Sequence, residues 1–179
     1  MSRNEIIQTA RLRLRKPEVT DAQAIFNRYA SDPEVTRYLS WPTHLSLAET
    51  VAFLTWSDAD WAQWPAGSYL VFSRNGDRLL GGTGLSFTWP TTAVTGYVFA
   101  RDAWGQGYAT ESLQAMVQVA QQTGVERLEA VCHVDHHASA HVLEKCGFIL
   151  ESIRWEYLVL PNLGIPRRSD VRSYIRMFN

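Results

Sequence analysis

The chain of 179 residues is near the length of one ordinary domain, and its 46% hydrophobic composition can build a sizeable core. Seventeen basic against eighteen acidic residues leave a formal net charge of −1, which excludes an overall field able to concentrate nucleic acid or an anionic membrane; partners must be recognised by local chemistry. No apolar run approaches the ~20 residues that span a bilayer, Met1 to Glu5 lack the apolar stretch of a signal peptide, and Cys132 and Cys146 have no metal-like spacing, so the chain reads as a cytoplasmic protein with two buried, reduced thiols.

Arg11-Leu12-Arg13-Leu14-Arg15 alternates charged and apolar residues, the period of a strand with one buried face. Thr20 with Gln23 forms a capping-box pattern before Asp21 to Ala30, where Ala22, Ile25, Phe26 and Tyr29 share one helical face. Asp32-Pro33 interrupts that helix, and a short second one is expected from Glu34 to Leu39. Ser46 and Glu49 repeat the capping pattern ahead of a longer helix that runs toward Trp64-Pro65. Asn75-Gly76 between Tyr69–Phe72 and Leu79-Leu80 predicts a hairpin, and a further meander strand is expected from Thr95 to Ala100 after the Trp89-Pro90 turn. An amphipathic helix starts near Tyr108 and stops at Gly124. A buried strand follows from Leu128 to His133, then a short helix from Ala138 to Cys146, a strand region from Phe148 to Leu160 and a last strand from Asp170 to Met177. Pro161 to Arg168 is the only loose stretch, and neither a repeat nor a linker divides residues 1–179 into more than a single domain.

The segment that carries chemistry is Trp104-Gly105-Gln106-Gly107-Tyr108-Ala109-Thr110-Glu111, set between a strand and a helix. Glycines let the backbone turn tightly and approach a ligand, and the first N–H groups of the helix point outward at its positive end, which suits phosphate oxygens. A P-loop is excluded because no Gly-Lys-Ser or Gly-Lys-Thr follows. A dinucleotide site would want a third small residue where Thr110 stands, an acidic residue closing the next strand rather than Glu126 or Glu129 before or within it, and parallel βαβ units in place of the antiparallel meander.

Five stretches together resemble the GNAT superfamily, nearest the Rim-type branch of ribosomal-protein N-acetyltransferases, over nearly the whole chain: Thr9 to Arg15, Asp32 to Leu39, Gly82-Thr83-Gly84-Leu85, Trp104 to Glu111, and Ala138-Ser139 leading to Leu143-Glu144-Lys145-Cys146-Gly147-Phe148. The resemblance implies an α+β (mixed α/β) fold. Its central twisted sheet would be mostly antiparallel, with six to seven strands, splayed between the fourth and fifth and flanked by about four helices. It also implies an acyltransferase that uses acetyl-CoA as donor, with no metal, and passes the acetyl group directly to a primary amine without an acyl-enzyme. The diphosphate would rest on backbone amides of Gly105, Gln106, Gly107, Tyr108, Ala109 and Thr110, the pantetheine arm would pair with Val98, Phe99 and Ala100, and a backbone N–H near Phe99 would hold the oxyanion.

By the same resemblance Ser139 lies beside the CoA sulfur, where it either donates a proton to the leaving thiolate or serves only as a capping serine. His136 stands where relatives carry asparagine toward the pantetheine, Asp102 where many have Arg or Gln, with Arg101 beside it, and Leu143 where other branches place a tyrosine acid. Because imidazole titrates near neutral pH, His136 raises the prospect of pH-dependent CoA affinity. Glu156 is the candidate base or ammonium anchor, with a solvated strand carboxylate as the plain reading and Glu151 or a water chain as alternatives. Tyr38, Trp41, Phe87 and Trp89 fall on segments that line the acceptor pocket of this fold, although core packing explains any one of them equally. His133, His136, His137 and His141 lack the glutamate that a zincin helix needs, since position 138 is Ala138. The expected acceptor is a protein N-terminal α-amino group. A small amine such as a polyamine, amino acid or aminoglycoside is the alternative, and a non-catalytic acyl-CoA-binding module lies outside the enzyme class. Neither nucleic acid nor a membrane is an expected partner, and a homodimer is one option for assembly.

Overall fold

The computed structural model describes residues 5–75, 77–164 and 167–178, so Gly76 of the expected Asn-Gly turn lies outside the described residues. Among the described residues, eight strands form one sheet in the order β1-β2-β3-β4-β5-β6-β8-β7. They are β1 (Ile6–Gln8), β2 (Leu12–Arg15), β3 (Ser68–Ser73), β4 (Leu79–Trp89), β5 (Thr92–Phe99), β6 (Arg127–His133), β7 (Ile149–Leu158) and β8 (Ser169–Met177). Every pairing is antiparallel except β5 with β6. The strand beyond the expected six to seven is β1, three mostly exposed residues paired with β2 through Ile6↔Arg15, too short to show a period of its own.

Among the described residues, five α-helices accompany the sheet: α1 (Ala22–Ile25), α2 (Pro33–Thr36), α3 (Leu47–Gln63), α4 (Tyr108–Gln122) and α5 (His137–Lys145). The capping box at Ser46 and Glu49 opens α3 as expected. At the first helix the box is Glu18 with Asp21, two residues earlier than Thr20 with Gln23, because Arg15 holds Asp21 in a bidentate pair at 2.8 and 2.6 Å. From Phe26 to Ala30 this helix continues as a π-helical turn, and Asp32 then caps α2 by accepting the Glu34 N–H at 2.9 Å.

Strand alternation divides the core in two. Tyr69 and Val71 of β3 enter the larger cluster, built mainly with α4 and α5, while Leu70 and Phe72 join Ile25, Tyr29 and Leu54 beneath α1 and α3. The feature that positions the site is a divergence inside the sheet. The parallel ladder between β5 and β6 extends only from Thr92↔Arg127 to Val94↔Glu129. Beyond it β5 stays with β4 as far as Gly81↔Phe99, and β6 stays with β8 as far as His133↔Val171. Each strand follows its outer partner, so a V-shaped gap opens between them, at the place expected for a splay between the fourth and fifth strands of a seven-strand count. No helix among the described residues is long and apolar enough to cross a membrane.

Candidate active site

The left-handed conformation of Gly105 (φ +72) and Gly107 (φ +78) turns the chain from β5 into α4, with Gly107 as the N-cap. Among the described residues, no protein group accepts from the N–H groups of residues 105–110; the first backbone bond of the helix is Glu111 N–H to Gly107 O at 3.1 Å. Gly105, Gln106 and Gly107 are exposed, so these donors and the positive end of a 15-residue helix face open space.

The loop is braced from below. Glu111 accepts from the Thr9 hydroxyl (2.6 Å), the Arg11 N–H (2.8 Å) and Arg11 Nε (2.7 Å), and Arg11 also donates to Gln106 O at 2.9 Å while its guanidinium covers the Tyr108 ring. Burial pushes the Glu111 carboxyl up, but the bonds from Thr9 and Arg11 outweigh it and hold the group below the usual carboxylate range. Asp102 is engaged by Arg28 (2.8 and 3.1 Å) and Arg78, and Arg101 by Asp32 at 2.7 Å, so neither is a free charge beside the loop.

Along β5 the direction of each N–H follows from the antiparallel ladder. Ala100 N–H donates to Leu80 O at 2.9 Å, which places residues 98 and 100 toward β4 and residues 97 and 99 toward the gap. Of the expected trio Val98, Phe99 and Ala100, therefore, Phe99 presents its backbone to the gap, and its carbonyl already accepts Trp104 Nε1 at 2.6 Å.

A cavity of about 580 Å³ opens at this gap and continues beneath α1 and α3. Ser139 in the first turn of α5 lines it, with its hydroxyl 2.9 Å from the Tyr97 hydroxyl, which also donates to Ser139 O at 3.1 Å. Burial raises the Tyr97 phenol well above its ordinary value. Cys132 lines the same region; burial pushes its thiol up to about 11 against the opposing effects of Arg172 and Ser139. His136 is the N-cap of α5, and Tyr38 stacks on it at 4.7 Å and on His133 at 5.1 Å. Burial, then His133 and His137, hold His136 below the ordinary imidazole value, which favours its neutral form at neutral pH.

Tyr38 and Trp41 line the cavity. Phe87 and Trp89 do not. Strand parity turns Phe87 into the larger core, stacked on Trp64 at 5.3 Å, and Trp89, past an irregularity in the β4–β5 register, is 69% exposed. Nor is Glu156 brought to the cavity: it is exposed with φ +46 in the irregular stretch between Arg154 and Leu158, its N–H donating to Asp170 at 2.8 Å. Glu151 is held by Arg127 at 2.9 and 3.0 Å. Leu143 is buried in the wall, and the tyrosine hydroxyl at Ser139 comes instead from Tyr97 on β5, which no local pattern in the sequence marks.

Sequence reasoning also missed His44, Phe53 and Trp56, which complete the far wall. His44 Nδ1 is 2.8 Å from the buried Thr50 hydroxyl, and burial lowers its pKa against the opposing charge of Glu49. The rim is tied by Asn162. Its Oδ1 accepts from the Thr43 N–H (2.8 Å) and hydroxyl (3.1 Å), and its Nδ2 donates to Thr36 O (2.7 Å) and Trp41 O (2.9 Å). The stretch expected to be loose thus contains a 3₁₀ turn, Pro161–Leu163, that anchors the loop before α3.

Open amides at a helix mouth, an unpaired strand edge facing a splay, and a cavity ending at a serine and a tyrosine hydroxyl together suit a nucleotide diphosphate joined to an extended thioester arm. Residues 11–149 match the family model described as "Acetyltransferase (GNAT) domain", and the chain belongs to that family. It is an acetyl-CoA-dependent N-acetyltransferase. It is similar to the uncharacterized N-acetyltransferase YoaA of Bacillus subtilis (strain 168), 28% identical over 96% of this chain and 97% of that protein. Its fold superposes with TM-score 0.84 on RimL, a ribosomal L7/L12 α-N-protein acetyltransferase in complex with coenzyme A, at 26% identity over 97% and 98% of the two chains. It superposes with TM-score 0.79 on a spermidine N-acetyltransferase from Vibrio cholerae bound to CoA and spermine, at 19% identity over 94% and 96%, a likeness of fold alone.

Proposed function

We propose that the chain transfers acetyl from acetyl-CoA to the α-amino group at the N-terminus of a protein or peptide. The observation that carries this reading is the absence of any aspartate, glutamate, lysine or arginine among the described residues lining the cavity. An amine must lose its proton before it attacks. At pH 7 that costs roughly 4.6 kcal/mol for a lysine-like amine and about 1 kcal/mol for an α-amino group, from reference values near 10.4 and 7.7. A cleft with no carboxylate to hold an ammonium or take its proton suits the second group, and it is poorly suited to a polycation, whose charges would lose water without gaining partners. RimL, a ribosomal L7/L12 α-N-protein acetyltransferase, acts on an amine of the same class.

On this reading the amides of residues 105–110 hold the donor's diphosphate. The edge at Phe99 receives its pantetheine arm and polarises the thioester carbonyl, and the neutral His136 is placed to donate to the arm. Acetyl-CoA supplies an activated acyl group whose thiol leaves readily, because a free thiol titrates near ~8.5. Ser139, bonded to Tyr97, offers a hydroxyl proton at the sulfur end of the cavity. The amine attacks directly, since the cavity's one thiol, Cys132, is kept protonated by burial and is a poor nucleophile.

The test is thiol release from acetyl-CoA with a panel of short peptides blocked at lysine, of Nα-blocked lysine, and of spermidine, with mass spectrometry locating the acetyl group. Turnover with free α-amines and at least tenfold less with the others is expected. A preference for spermidine or the lysine side chain would overturn the assignment.

A further inference from the structure

We infer that the acceptor cleft selects α-amines whose neighbouring side chain is large and uncharged, with Gly96 supplying the room for it. This rests on the α-amine reading above and adds the identity of the group beside the amine.

Gly96 lies on β5 opposite Gly84 of β4, and the two glycines are there for different reasons. A Cβ at Gly84 would stand 2.8 Å from the Gly67 carbonyl oxygen, so close backbone packing excludes a side chain. A Cβ at Gly96 would meet nothing within 4 Å, and its φ is not left-handed. Neither packing nor backbone conformation requires glycine at 96, while glycine inside a strand weakens it and leaves no side chain to pack. The space that a side chain would have filled belongs to the cavity, which Gly96 lines. A ligand group that occupies this space is the physical account the position lacks otherwise.

The opposite wall is aromatic. Tyr38 and Trp41 come from the segment that Asn162 ties down, and Phe53 and Trp56 from α3, their rings 6.1 Å apart. Trp56 is 52% exposed, an apolar ring left beside an open cavity. Among the described residues the lining carries no carboxylate, ammonium or guanidinium, and its two imidazoles, His44 and His136, are both held toward the neutral form by burial. A bulky apolar or aromatic side chain gains by leaving water here, a serine or alanine gains little, and an aspartate loses hydration with no partner to replace it.

The experiment compares kcat/KM for tetrapeptides that differ only at residue 1 (Ser, Ala, Asp, Leu, Phe), at saturating acetyl-CoA. Leu and Phe should exceed Ser and Ala by about tenfold or more, with Asp lowest. Gly96→Leu should reduce the Phe-to-Ala ratio by about tenfold. Trp56→Ala, at a half-exposed position that the core does not need, should reduce the same ratio and keeps the test open if the first variant does not fold. A flat profile, or Ser or Asp in the lead, overturns this inference while the α-amine reading stands. Acetylation of spermidine alone, with every peptide silent, overturns both.

Discussion

Replacing Asn162 with alanine removes four hydrogen bonds that tie the β7–β8 connection to the segment carrying Tyr38 and Trp41. Each is worth about 1 kcal/mol net, but of the groups left behind the Thr43 N–H and the Trp41 carbonyl sit on a half-exposed loop where water can re-bond them, while Thr36, at the end of α2, is buried. The net loss should therefore be about 2–3 kcal/mol of local order, which makes the closed rim roughly 30- to 150-fold less populated. The donor loop at residues 105–110 and its brace at Arg11 and Glu111 share no bond with Asn162. Steady-state thiol release with each substrate varied in turn should show kcat/KM for the acceptor falling by tens of fold while KM for acetyl-CoA stays within about twofold. Asn162→Asp keeps the acceptor for Thr43 but turns a carboxylate oxygen toward the carbonyls of Thr36 and Trp41, so its defect should be at least as large as that of the alanine variant. Equal defects for both substrates, or unchanged acceptor kinetics, would refute the idea that this side chain shapes the acceptor rim.

Gly107→Ala forces a side chain into φ +78 with its Cβ 3.3 Å from Arg11 Nη2; at about 1–2 kcal/mol of strain it should raise KM for acetyl-CoA roughly tenfold and spare selectivity among acceptors, read from the same kinetics. Ser139→Ala should slow kcat by about tenfold without abolishing turnover, since the thiolate is already a fair leaving group. Tyr97→Phe should give a smaller loss of kcat and leave the alkaline limb of the kcat–pH profile unmoved, because burial keeps the phenol protonated, and an unchanged kcat would reduce Tyr97 to packing. His44 and His136 both titrate below the ordinary value of 6.5 in the folded chain, so as pH falls through 6.5 the unfolded chain takes up protons first and stability declines. Glu111, held below 4.5, adds a second loss at lower pH, as pH falls from about 4.5 through its folded value. Thermal melts from pH 8 to 4 should therefore be level above about pH 7 and fall below it, and His136→Gln should flatten the first step.

Residues 104–111 were legible without a structure because everything this turn needs is local: two positive-φ glycines, a helix start and the uncovered amides that follow from them. Alternation along β2, the capping box at Ser46 and the glycine stop of α4 at Gly124 are local in the same way. The acceptor cleft was not legible. Phe87 and Trp89 looked equivalent to Tyr38 and Trp41, yet strand parity sends Phe87 into the core and a register irregularity leaves Trp89 in solvent. Glu156 was placed on the correct strand, but irregular pairing and a left-handed φ carry it away from the cavity.

The amino-acid sequence by itself determined the family, the order of elements and the glycine turn that opens α4, because backbone conformation and binary pattern act over a few consecutive residues. Only the tertiary structure decided that Tyr97 meets Ser139 across 42 positions, that Asn162 meets Thr43 across 119, and that Gly96 faces a void. Such meetings depend on register, on which face of a strand each side chain takes, and on how far two strands diverge, none of which any short stretch of chain specifies alone.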